Sequence, residues 1–75
     1  MEEIKQFFIN IGRADVDENM QNLVSANIIN SIDVMNLINE IEKYYNKTLD
    51  SDFMRPMYFE SFESIRQMIS KAFDL

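Results

Sequence analysis

Neither a cysteine nor a histidine occurs in this 75-residue chain, and those two absences constrain its fold more than any residue present. A chain of this length buries only about 60% of its unfolded surface, so it is marginally stable unless something staples it. A disulfide and a usual zinc site are both ruled out as staples. One small core of side chains therefore has to hold a single domain spanning residues 1–75. The same absences remove a thiolate nucleophile, a Ser–His pair and an imidazole general base, so an enzyme is not expected.

The apolar residues recur with helical spacing and nowhere alternate with period two over a useful length, so the expected fold class is all-α. Ile4, Phe7, Phe8 and Ile11 predict a first helix near residues 2–11, with Glu2 and Glu3 at its positive end and Gly12 just past its end. From Arg13 to Asn30 the pattern is irregular and polar. It reads as a long loop whose Val16, Met20, Leu23, Val24, Ile28 and Ile29 cover the core, with Asn27 and Asn30 suited to turns.

A second helix is expected to begin at Ser31, taken as its N-cap, and to run to about Asn46. The stretch "DSDFMRPMY" opens with Asp50 as a cap and Asp52 in the first turn and is interrupted by Pro56, which permits one turn of helix and little more. Ser61 is placed to cap a last helix carrying Phe62, Ile65, Met68, Ile69, Ala72 and Phe73 on its apolar side. The architecture expected is a small four-helix bundle with a short third helix.

Thirteen carboxylates against seven basic residues give a net charge of -6. That disfavours nucleic acid, whose phosphates need a basic face, and favours partner proteins with basic docking surfaces. The opening "MEEIKQFF" carries acid where a signal peptide carries base, and no apolar run approaches the length of a membrane span. A cytoplasmic monomer is the expectation.

At about 100° per residue, Leu37, Ile38, Ile41 and Tyr45 fall within roughly 60° of Val34 and form the core stripe of the second helix. Ile32 and Met35 point about 160° and 100° away from Val34, and Ser31 lies beside Met35 on that outer side. Isolated exposed apolar residues mean little. Grouped with a serine and near the carboxylates of Asp33, Glu40 and Glu42, they form a candidate docking face. The plain reading of Ser31 is a helix cap, and by composition alone it is favoured. It is compatible with a second one, in which the hydroxyl anchors a phosphodiester close to the N–H groups at the helix start. Such a serine is modified by another enzyme and needs no base of its own.

The run "LVSANIINSIDVMNLINEIEKYYNKTLDSDFMRPMYFESFESIRQMI", Leu23 to Ile69, resembles the acyl carrier and peptidyl carrier proteins. Their signature is Asp-Ser-Leu at the start of a long second helix, and here it reads Asn30-Ser31-Ile32. The resemblance implies an acyl-carrier-type bundle in which Ser31 receives 4'-phosphopantetheine from coenzyme A, through a magnesium-using phosphopantetheinyl transferase. It further implies that acyl or aminoacyl groups ride on that arm as thioesters. Asn30, Ile32, Asp33, Met35, Glu40 and Glu42 would then meet the transferase and the loading and transferring enzymes. The chain departs from the pattern at Asn30, where the family has an acid, at Asn27, where glycine is common, and at Asn36 and Lys43, where acids are frequent. These departures lean toward the discrete carriers of polyketide, nonribosomal-peptide or D-alanyl transfer systems. The rival expectation is a helical protein–protein adaptor in which Ser31 is only a cap.

Other constellations fail on spacing. Asp15, Asp17 and Asn19 imitate the opening of a calcium loop, but Met20 stands at the required glycine and Ala26 at the required final acid, so no metal site is expected. Glu40 and Glu42 are two residues apart and do not share a tight helical face, which speaks against paired acid–base carboxylates. Tyr44, Tyr45, Tyr58, Phe53 and Phe59 read as core and core-edge residues.

Overall fold

Three α-helices carry the chain in a computed structural model that describes residues 2–75, and no strand occurs among those residues. They are α1 (Glu2–Asn10), α2 (Ser31–Tyr45) and α3 (Phe62–Phe73). Between α2 and α3 the backbone makes two short 3-10 turns, Ser51–Phe53 and Pro56–Phe59, rather than a further α-helix. Pro56 keeps the two turns apart: it cannot donate back into the first, yet it fits the opening position of the second.

Helix α1 buries Ile4, Phe7 and Phe8 against α2 and α3. Its exit is fixed by Gly12, whose φ of +83° lies in the left-handed region, and by the Arg13 N–H, which donates to the Phe8 carbonyl at 2.8 Å. No heavy atom stands within 4 Å of where a Gly12 Cβ would sit, so backbone conformation and not space selects glycine here.

The loop from residue 13 to residue 30 has no helix or strand, yet it supplies three fully buried core residues, Val16, Leu23 and Ile29. Part of its polar backbone is satisfied within the loop. The Ile28 and Ile29 N–H groups both donate to the Leu23 carbonyl, and Asn22 and Asn27 turn the chain at φ of 56° and 58°. Lys5 Nζ ties the loop to α1 by donating to the Ala14 and Val16 carbonyls, each at 2.7 Å. At the far end Glu60 clamps it. The Glu60 carbonyl accepts from the Leu23 N–H, and the Glu60 carboxylate accepts from the Val24 and Ser25 N–H groups and the Ser25 hydroxyl.

Helix α2 buries Val34, Leu37, Ile38 and Ile41, the stripe that the periodicity marks out, with Tyr45 half-buried at its end. Tyr44 departs from expectation. It is 62% exposed, and its ring makes T-shaped contacts with Phe7 and Tyr45. Helix α3 buries Phe62, Ile65, Met68, Ile69 and Phe73, and Phe8 and Phe62 stack with ring centroids 4.9 Å apart at the centre of the core. Ser61 caps α3 as expected, accepting from the Ser64 N–H while the Ser64 hydroxyl accepts from the Ser61 N–H.

Candidate functional site

The start of α2 corrects the sequence reading at one residue. Ser31 is not the N-cap. Asn30 holds that position in extended conformation, its side-chain oxygen accepts from the Asp33 N–H at 2.9 Å, and the Asp33 carboxylate accepts from the Asn30 N–H at 3.2 Å. The cause is the spacing Asn30-x-x-Asp33, which closes a reciprocal capping box; a cap at Ser31 would face Val34, which has no acceptor to return. The Asn30 backbone is accordingly extended and makes no left-handed turn, unlike Asn27.

Ser31 thus becomes the first helical residue. It is exposed, and its hydroxyl makes no hydrogen bond among the described residues. The first free donors of α2, the Ser31 and Ile32 N–H groups, also find no acceptor among the described residues. A phosphodiester on the Ser31 oxygen would sit at the positive end of a 15-residue helix beside two unused donors. The macrodipole favours an anion there by about 0.3–1 kcal/mol. The donor set therefore fits a phosphate-linked group. Only the cap assigned to Ser31 is overturned, because Asn30 does the capping.

Beside Ser31 two large apolar side chains stand in water: Ile32 is 67% exposed and Met35 65%. The carboxylates expected around them are differently placed. Asp33 has 13% of its side chain exposed and is held by Arg13 Nη1 at 2.7 Å. Glu40 accepts from Asn10 Nδ2 at 2.8 Å and lies 3.5 Å from Lys43 Nζ. Glu42 accepts from the Leu49 N–H at 2.7 Å and so fastens the chain as it leaves α2. Asn30, Ser31, Ile32 and Met35 therefore form one exposed group, while Asp33, Glu40 and Glu42 are engaged within the fold.

Arg13 was not visible as a site residue in the sequence. Its guanidinium donates to Asp33, to the Ile28 carbonyl at 2.7 Å and to both Asp15 oxygens at 3.1 Å. The Asp15 hydrogen bond is the main reason its pKa stands above the usual value, with Asp33 adding to it, and the same bond holds the exposed Asp15 carboxyl below its usual value. The Asp33 contact is nonetheless the shorter and better shielded of the two, and it is the one that joins the loop to α2. No local signal marks it, since the partners lie 20 residues apart.

Among the described residues no group of three or more acidic side chains is placed to share a metal ion; Asp17 instead accepts from the Asn19 N–H. No helix of the described residues is long and apolar enough to cross a membrane. Compared with models of known protein families, with curated proteins and with solved structures, the chain matches none.

Proposed function

We propose that this protein is an acyl carrier: Ser31 bears a 4'-phosphopantetheine arm, and acyl or aminoacyl groups are delivered on it to partner enzymes. The observation that carries this reading is the division of labour at the start of α2. Asn30 caps the helix, and Ser31 is left exposed, unbonded and next to two unused N–H donors. The four-helix description belongs to the same reading, with the Pro56–Phe59 turn in the place of the short third helix, packed on α2 and α3.

In this role the chain performs no bond chemistry of its own. The arm, once attached, supplies the thiol that a cysteine-free chain lacks. The protein's part is to present the Ser31 oxygen to the transferase, to stabilise the phosphodiester at the positive end of α2, and to offer Ile32 and Met35 as the contact that partners recognise. The net charge of -6 draws in enzymes with basic docking surfaces through a long-range field that salt screens. Weak, renewable encounters of this kind suit a cytoplasmic monomer that visits a transferase, a loading enzyme and a transferring enzyme in turn.

Intact mass after incubation with coenzyme A, magnesium and a broad-specificity phosphopantetheinyl transferase tests the reading. The wild-type chain should gain one phosphopantetheine, and Ser31→Ala should gain none while keeping its helical spectrum. An unchanged wild-type mass, beside a control carrier modified in the same tube, sinks the proposal.

A further inference from the structure

We infer that Arg13 is a positioning residue for the modification of Ser31, an inference that rests on reading Ser31 as the attachment site. Arg13 leaves α1 immediately after Gly12 and reaches across the loop to the start of α2. One guanidinium nitrogen holds Asp33 Oδ2 at 2.7 Å, and another holds the Ile28 carbonyl at 2.7 Å. Asp33 Oδ2 is also the oxygen that accepts from the Asn30 N–H. A single planar fork therefore grips both sides of the Ile28–Asp33 segment: the bend that leads into the helix and the carboxylate that closes the capping box. Ser31 lies inside that grip and is not itself held.

Two consequences follow for the hydroxyl. First, the clasp selects which residue caps α2. Both Asn and Ser are good N-caps. If Asp33 were released, the Asn30 box would lose its return hydrogen bond, and the helix could begin one residue later with the Ser31 oxygen turned inward onto the Val34 N–H. Arg13 holds the register in which that oxygen stays outside. Second, Arg13 compensates charge. In the transfer the Ser31 oxygen bonds to the pantetheine-side phosphorus of coenzyme A. The pyrophosphate P–O bond breaks, 3',5'-ADP leaves with the electron pair, and the serine proton passes to a base of the transferase. The incoming donor is a polyanion, and the pairing with Arg13 neutralises the Asp33 carboxylate two residues from the nucleophile. All three guanidinium nitrogens of Arg13 face these carboxylates, Nη1 on Asp33 and Nε and Nη2 on Asp15.

The test compares Arg13→Ala, Arg13→Gln and Arg13→Lys with the wild type, using coenzyme A and a broad-specificity transferase, at a temperature where circular dichroism shows every variant folded. Ser61→Ala, which removes the α3 cap away from Ser31, controls for lost stability. Arg13→Ala should lose about tenfold in kcat/KM, chiefly in kcat, because Ile32 and Met35 remain to set KM for the carrier. Arg13→Lys, which keeps the charge, should recover part of the loss, and Arg13→Gln should recover less. Ser61→Ala should be modified at the wild-type rate. Wild-type kcat in folded Arg13→Ala, or a loss matched by Ser61→Ala, overturns the inference. Amide exchange in the unmodified protein provides an independent reading: the Asn30 and Asp33 N–H groups should exchange faster in Arg13→Ala, while the Ser64 N–H is unaffected. Unchanged exchange at Asn30 and Asp33 overturns the positioning role even if the chain accepts no arm. A wild-type chain that gains no mass, with faster exchange in Arg13→Ala, counts against the attachment site and leaves the clasp standing.

Discussion

Asn30 and Asp33 cap one another across Ser31: the Asn30 side chain accepts from the Asp33 N–H at 2.9 Å, and the Asp33 carboxylate accepts from the Asn30 N–H at 3.2 Å. Ser31, one of the two residues between them, is thereby relieved of the capping role. This makes stability and modification separable, since different side chains carry them.

The separation can be measured directly. Asn30→Ala removes the cap and should cost about 1 kcal/mol of unfolding free energy, whereas Ser31→Ala should stay within about 0.5 kcal/mol of the wild type. Urea denaturation of the three proteins decides it. A Ser31→Ala loss as large as that of Asn30→Ala would mean that the serine caps after all.

Acid should weaken the protein through Glu60. Its carboxyl is held below the usual glutamate value, first by the hydrogen bond from the Ser25 hydroxyl and then by the Ser25 and Val24 N–H groups. A group with a depressed native pKa contributes stability that is fully present above its unfolded value of about 4.3 and disappears as pH falls through the native value. Glu60→Gln should therefore be less stable than the wild type at neutral pH, by about 1–2 kcal/mol, since bonds to a charged acceptor are the stronger ones but this site is partly exposed. The gap should narrow as pH falls below about 4. Chemical denaturation as a function of pH checks the sign; a gap that widens in acid contradicts the assignment.

Ile32 and Met35 should matter to partners and not to folding. Replacing both with serine removes exposed apolar surface only, so the melting temperature should hold, while KM for the transferase rises by about tenfold or more, as expected when anchoring contacts near the centre of an interface are lost. Unaltered kinetics in the double variant would remove this face from the docking surface.

The helices were legible because their cause is local. The spacing of Ile4, Phe7 and Phe8, of Val34, Leu37, Ile38 and Ile41, and of Phe62, Ile65, Met68, Ile69 and Phe73 places each set on one face, and each face is buried. Gly12, Asn27, Asp50 and Ser61 each take the turn or cap that their chemistry favours. The outward direction of Ile32 and Met35 followed from the same arithmetic. The misread cap shows its limit. Asn30 and Ser31 are comparable caps by type, and Asp33, three residues after Asn30, breaks the tie through a bond the projection does not weigh.

By itself, then, the sequence determined the helical class, the buried stripes, the exposed serine region and the lack of any staple, all of which follow from residue type and periodicity along a few turns. Only the tertiary structure decided what the charged groups do. Arg13 finds Asp33, Glu60 finds Ser25, and Asn10 finds Glu40 across 20, 35 and 30 residues. A hydrogen bond acts over about 3 Å of space, whereas sequence separation says nothing of that distance until the core has brought the segments together.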